Sequence, residues 1–152
     1  MPSTLLGPVT SLQTQLAFLA TALPTSSVSI FYRQIASTLS THILSRVFKQ
    51  RSRGKITEQH GRTMEVEAQL WLQCCRQAAG KVVRRVDVPW QDLLEATRLV
   101  NTPEGPSFTA LVEVAWHSSA DQYIQKIEEA GVQRLSREQV KEVLSSRLDY
   151  VP

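Results

Sequence analysis

A chain of 152 residues is long enough to bury one substantial core, and its length gives no reason to expect two domains. At 42% hydrophobic and 20% charged it falls in the globular range, which excludes wholesale disorder. The net charge of +3 hides an asymmetry: residues 1–57 hold six bases and no acid, a charge of +6, while the other eleven bases face all fourteen acids, a charge of −3.

Taken in order, Leu5, Val9, Leu12, Leu16, Leu19 and Leu23 step by four and three alternately, the seam of a first helix packing along another. Pro8 places its start nearby and Pro24 closes it. Thr25-Ser26-Ser27 offers a cap for a second helix whose stripe is Val28, Phe31, Ile35, Leu39, Ile43 and Val47. A basic loop, Lys49 to Lys55, follows. Thr57 caps a third helix bearing Met64, Ala68, Trp71, Cys75 and Ala78, with Gly80 as its stop. Val82 to Val88 is β-branched but too short for periodicity to decide, and it reads as a connection. Trp90, Leu93, Leu94, Thr97 and Leu99 form a fourth helix, ended by the Pro103 to Pro106 turn. A fifth starts near Ser107 with Leu111, Val114, Ala115 and Trp116 inward. Ser118 or Ser119 caps a sixth carrying Ile124 and Ile127, stopped at Gly131. In the seventh, Ser136 and Gln139 make a capping box, Leu135 and Val140 a staple, and Val140, Val143, Leu144 and Leu148 a stripe.

The expected fold is therefore all-α: one domain over residues 1–152, an antiparallel bundle of six to seven helices. Its parts are an N-terminal amphipathic helix over 1–24, a second helix and basic loop over 25–55, and a C-terminal bundle over 56–152. The segment "LAFLATAL" is too short to span a bilayer, and the first base, Arg33, comes too late for a transit peptide.

Reactive chemistry is not legible. There is no HExxH, phosphate loop, nucleophile elbow or CxxC, and His42, His60 and His117 share no spacing. Cys74 and Cys75 are adjacent, so they close no loop, and a reduced, partly buried helical pair is expected. Glu65 and Glu67 point to different sides of a helix. These readings predict a non-enzyme with no cofactor and no metal. Lys49, Arg51, Arg53 and Lys55, together with Arg84 and Arg85 of a second cluster that includes Arg76 and Lys81, are candidates for contact with an anionic surface, lipid or nucleic acid. The plain reading of the loop is a solvated connection, because no aromatic residue interleaves with its bases to stack on nucleobases. The seam from Leu5 to Leu23 is either core or a site for a partner helix, including a second copy of the chain.

The second half of the chain resembles the C-terminal end of the helical-rod subunit of the Dsl (animal NRZ) vesicle-tethering complex, a member of the CATCHR family. The resemblance is carried by Trp90, Leu93, Glu95, Ala96 and Pro103, then by Ser119, Gly131, Leu135, Ser136, Leu144 and Arg147. Upstream, residues 31–48 resemble the family's preceding helix, and Thr57 to Met64 stand for its Ser/Thr-x-x-Gly-x-x-Gln segment, with Met64 at the glutamine and Ala68 at the usual aspartate. The likeness is to fungal members and implies the terminal bundle of a long rod. It further implies a non-catalytic scaffold in Golgi-to-endoplasmic-reticulum retrograde transport, peripheral at that membrane, whose partners are tether subunits and SNAREs. The alternative is a small basic helical protein that binds nucleic acid through Lys49 to Lys55 with Arg76 to Arg85.

Overall fold

The computed structural model describes residues 3–49 and 55–151. Helix α1 spans Ser3–Ala22 and α2 spans Thr25–Leu44, the latter running on into a π-helical turn at Ser45–Lys49. After α3 (Glu58–Ala79), a 3-10 turn at Val88–Trp90 leads into α4 (Gln91–Val100), then α5 (Pro106–His117), α6 (Ala120–Glu129) and α7 (Arg137–Leu144). The described residues thus form an all-α bundle of seven α-helices with no strand; one isolated parallel bridge pairs Ile56 with Arg147.

Two apolar clusters share α4. Its Leu93 and Leu94 face a core built from α1, α2, α3 and the connection that holds Val83 and Val86. Its Ala96, Leu99 and Val100 face a second core made with α5, α6, α7, Phe48 and Ile56. Burial on both sides leaves Leu93–Thr97, Leu99 and Val100 of α4 all buried, polar Glu95 and Thr97 among them. Leu5, Val9, Leu12, Leu16 and Leu23 belong to the first core, where α1 lies along α3, and Leu16 is 1% exposed. Val9 and Leu16 of that seam pack within the chain, while Leu5, Leu12, Leu19 and Leu23 are half-buried.

Local chemistry sets the helix ends. Thr57 Oγ1 accepts the His60 amide while His60 Nδ1 accepts the Thr57 amide, a capping box with histidine in the usual glutamate place. Ser119 Oγ accepts the Gln122 amide at α6. At the other end of α6, Gly131 has φ +79, and the Gly131 and Val132 amides donate to the Glu128 and Ile127 carbonyls, the Schellman pattern that a left-handed residue permits. Ser136 and Gln139 form the expected box on α7, with Leu135 and Val140 buried beside it. At Gly61 a Cβ would stand 2.6 Å from the Val100 carbonyl oxygen, so glycine is what lets α3 cross close to the end of α4.

Several expectations are corrected. Helix α1 begins at Ser3, five residues before Pro8; Gly7, lacking Cβ, relieves the clash that proline imposes on its predecessor. The Thr25-Ser26-Ser27 segment does not cap α2: Pro24 holds the N-cap position without a side-chain bond, and Thr25 is already helical. The buried line of α2 is Val28, Tyr32, Ala36 and Ser40, with Phe31 and Ile35 exposed. Tyr32 turns that line inward because its hydroxyl donates to Val86 O at 2.6 Å and accepts Trp90 Nε1–H at 3.1 Å, while Ala36 and Ser40 are small enough for close approach. In α5 the fully buried residues are Phe108, Val112 and Ala115, with Leu111, Val114 and Trp116 only half-buried. Tyr123, not Ile124, joins Ile127 in the core; Ile124 is 52% exposed. Leu148 is 65% exposed, because α7 ends at Leu144 and the chain turns to pair Arg147 with Ile56.

Candidate functional site

Buried polar groups are the first place to look for chemistry, and in this fold they join elements to one another. The Arg147 side chain is fully buried: Nη1 donates to Val100 O at 2.6 Å and Thr102 O at 2.8 Å, while Nε and Nη2 grip both Asp149 carboxylate oxygens. Its guanidinium also lies 4.5 Å from the centre of the Phe108 ring. Glu95 accepts the Arg134 and Leu135 amides, tying the α6–α7 connection to α4. Arg137 donates to the carbonyls of Ala115 and Ser118 at the end of α5. The residues that carried the family resemblance, Glu95, Gly131, Ser136 and Arg147 among them, therefore have structural work in this fold.

Nucleophile candidates are shielded. Cys75 is fully buried between Tyr32 and Trp90, and burial pushes its thiol up to about 12, where no thiolate forms near neutrality. Cys74 is buried too, is raised by the same desolvation, and donates to Val9 O at 3.4 Å. His60 serves the α3 cap, and His42 and His117 are exposed on separate helices. Among the described residues no three His, Cys, Asp or Glu side chains converge as a metal site, and no helix is long and apolar enough to cross a membrane.

The basic clusters behave differently. Arg51 and Arg53 lie outside the described residues, as does the side chain of Lys49, while Lys55 is exposed and its amide donates to Ser146 O. Arg84 and Arg85 follow the opposite end of α3. With 22 residues at about 1.5 Å each, that helix holds Lys55 and the Arg84–Arg85 pair about 30 Å apart. Of the first cluster only the Lys55 side chain is described, and it stands apart from the second. The length of the helical run between them already carried this separation in the sequence.

Around Arg84 and Arg85 the structure does build a site. A groove of about 880 Å³ between the start of α2, the end of α3 and the following connection is lined by Arg76, Lys81, Arg84 and Arg85, with Asp87 the one acid among its lining residues. A second hollow of about 440 Å³ shares Arg76 and Asp87 and adds Arg98 and Arg134, two residues that sequence reading missed. Arg134 is held by Asp92 at 2.6 Å and by Gln91.

No family model matches this chain, and no curated protein or solved structure matches it. The site must be read from its own geometry.

Val83 and Val86 are buried, so the intervening Arg84 and Arg85 point outward from a loop anchored on both sides. Further pins are the Tyr32 bond to Val86 O and the bond from the Val88 amide to Arg85 O. Arg85 itself adopts φ +56, the left-handed region, which disfavours a side chain by about 1–2 kcal/mol. Such a conformation persists only where surrounding contacts determine it. In chemical terms the site presents a group of cations from an anchored backbone, with no nucleophile and no acid–base pair among its lining residues.

Proposed function

We propose that this chain is a non-catalytic helical interaction module of a vesicle-tethering subunit, acting in Golgi-to-endoplasmic-reticulum retrograde transport at the cytoplasmic side of that membrane. The observation that supports the reading is the agreement between the motif and the fold. Trp90, Leu93 and Ala96 sit in the cores on α4 or its entry turn, and Glu95 anchors the α6–α7 connection. Ser119 and Ser136 cap α6 and α7, Gly131 ends α6, and Arg147 closes the chain onto α4. A motif whose members each hold one helix to the next suits a rod-end bundle, and this supports the scaffold reading. Partners would be other tether subunits and endoplasmic-reticulum SNAREs.

Purified chain mixed with the cytosolic segments of those SNAREs and with the companion tether subunits, and run on a sizing column, is expected to co-elute with at least one of them. Separate elution from every one would refute the reading. The nucleic-acid alternative is less supported, because Lys55 and the Arg84–Arg85 pair stand about 30 Å apart across α3.

A further inference from the structure

We infer that the groove lined by Arg76, Lys81, Arg84 and Arg85 binds a small ligand carrying two or more clustered phosphate groups. The inference goes beyond the tethering reading and stands without it. Four cations and one carboxylate leave the groove at +3, and that carboxylate, Asp87, already accepts a bond from Gln91 Nε2 at 2.9 Å. Among the described residues, none of the four cationic side chains has an ion-pair or hydrogen-bond partner. Elsewhere in the fold Arg62, Arg134, Arg137 and Arg147 are engaged, while Arg33, Arg46 and Arg98 are unpaired among the described residues but do not gather around one groove. Two phosphates at about −1.5 to −2 each match the surplus of this groove, where one carboxylate would not. Arginine is the side chain whose planar fork pairs with phosphate oxygens, and three of the four are arginines.

Preorganisation is the second argument. The buried valines on either side and the left-handed Arg85 fix the backbone that presents two consecutive guanidinium groups, so only the side chains remain to be ordered on binding. Small size is the third. The cations fall between residues 76 and 85 around one groove, and no aromatic residue lines it for base stacking.

Such phosphates occur free in solution or as the head group of a lipid, and two probes separate these sources. Titration calorimetry of the full chain with inositol hexakisphosphate is expected to give saturable binding. Flotation with phosphatidylcholine vesicles, with and without phosphatidylinositol bisphosphate, then asks whether the same groove takes a membrane-borne head group. Retention by the bisphosphate vesicles, competed by the free probe, assigns a lipid source; binding of the free probe without retention assigns a soluble one.

In either case K81Q/R84Q is expected to weaken binding by about tenfold or more, the loss of a charge-assisted bond. K55Q, at the far end of α3, is expected to bind as wild type. Both exposed changes should leave the thermal melt intact, and R76Q serves in place of the double variant if that variant fails to fold. Saturation by neither probe, or equal binding by wild type and the groove variant, would overturn the inference. So would tighter binding of a single-stranded oligonucleotide that the same variant abolishes.

Discussion

Replacing Arg147 with methionine removes the one fully buried charge that ties the end of the chain to α4 and α5. Methionine keeps the apolar stem but not the guanidinium, so the polar contacts and the cation–π contact with Phe108 are lost together. The Val100 and Thr102 carbonyls lose their donor, and Asp149 loses a two-pronged partner. Removing one member of a buried pair destabilises by about 3–5 kcal/mol, and because Asp149 is 27% exposed and keeps part of its hydration, the low end of that range applies. For a chain of this size each kcal/mol moves the melting temperature by about 2–4 °C, so R147M is expected to melt about 6–12 °C lower.

Hydrogen bonding from Arg147 holds the Asp149 carboxyl below its ordinary range. A carboxyl depressed in the folded state stabilises above its unfolded pKa, about 3.9, and loses that contribution as pH falls through the lower folded value. The gap between wild type and R147M should therefore be full at pH 7 and narrow as the pH drops below about 4. Thermal melts by circular dichroism from pH 3 to pH 7 measure both quantities. A substitution without effect at pH 7, or a gap that widens in acid, would refute the reasoning.

Three further expectations concern packing and reactivity. Leu144→Ala should destabilise by about 2–5 kcal/mol in urea melts, because Leu144 is fully buried, whereas Leu148→Ala should stay within about 0.5 kcal/mol of wild type. G61A should cost about 1–3 kcal/mol in the same assay, since the new methyl group would press on the backbone of Val100 and α3 would have to move away from α4. Cys74 and Cys75 should resist a thiol-specific reagent at pH 8 in the native state and react when urea unfolds the chain, because burial raises both thiols and blocks access; rapid native labelling would contradict that.

What the sequence made legible was mostly local. The Ser136–Gln139 box, the Thr57 cap and the Gly131 stop depend on residues within one helical turn, so their chemistry shows in any short window. The face that α2 buries depends on Tyr32 reaching Val86 and Trp90, more than fifty residues away, and polar Tyr32 and Ser40 outrank apolar Phe31 and Ile35 at the interface. Arg147 reads as a surface base until the end of α4 supplies two free carbonyls. The groove was half legible. The bases at Arg76, Lys81, Arg84 and Arg85 stand out in the sequence, but their convergence needs the turn after α3 to double back with Val83 and Val86 inward. Arg98 comes to the adjoining hollow through the packing of α4 beside Gly131, which no spacing announces.

The most direct test of the scaffold claim is affinity capture of the tagged chain from its own cells, in low and in moderate salt, with identification of what co-purifies. Tether subunits or endoplasmic-reticulum SNAREs retained at moderate salt are the expected result. Recovery of nucleic acid alone, released as salt rises, or of none of those partners, would contradict the tethering account.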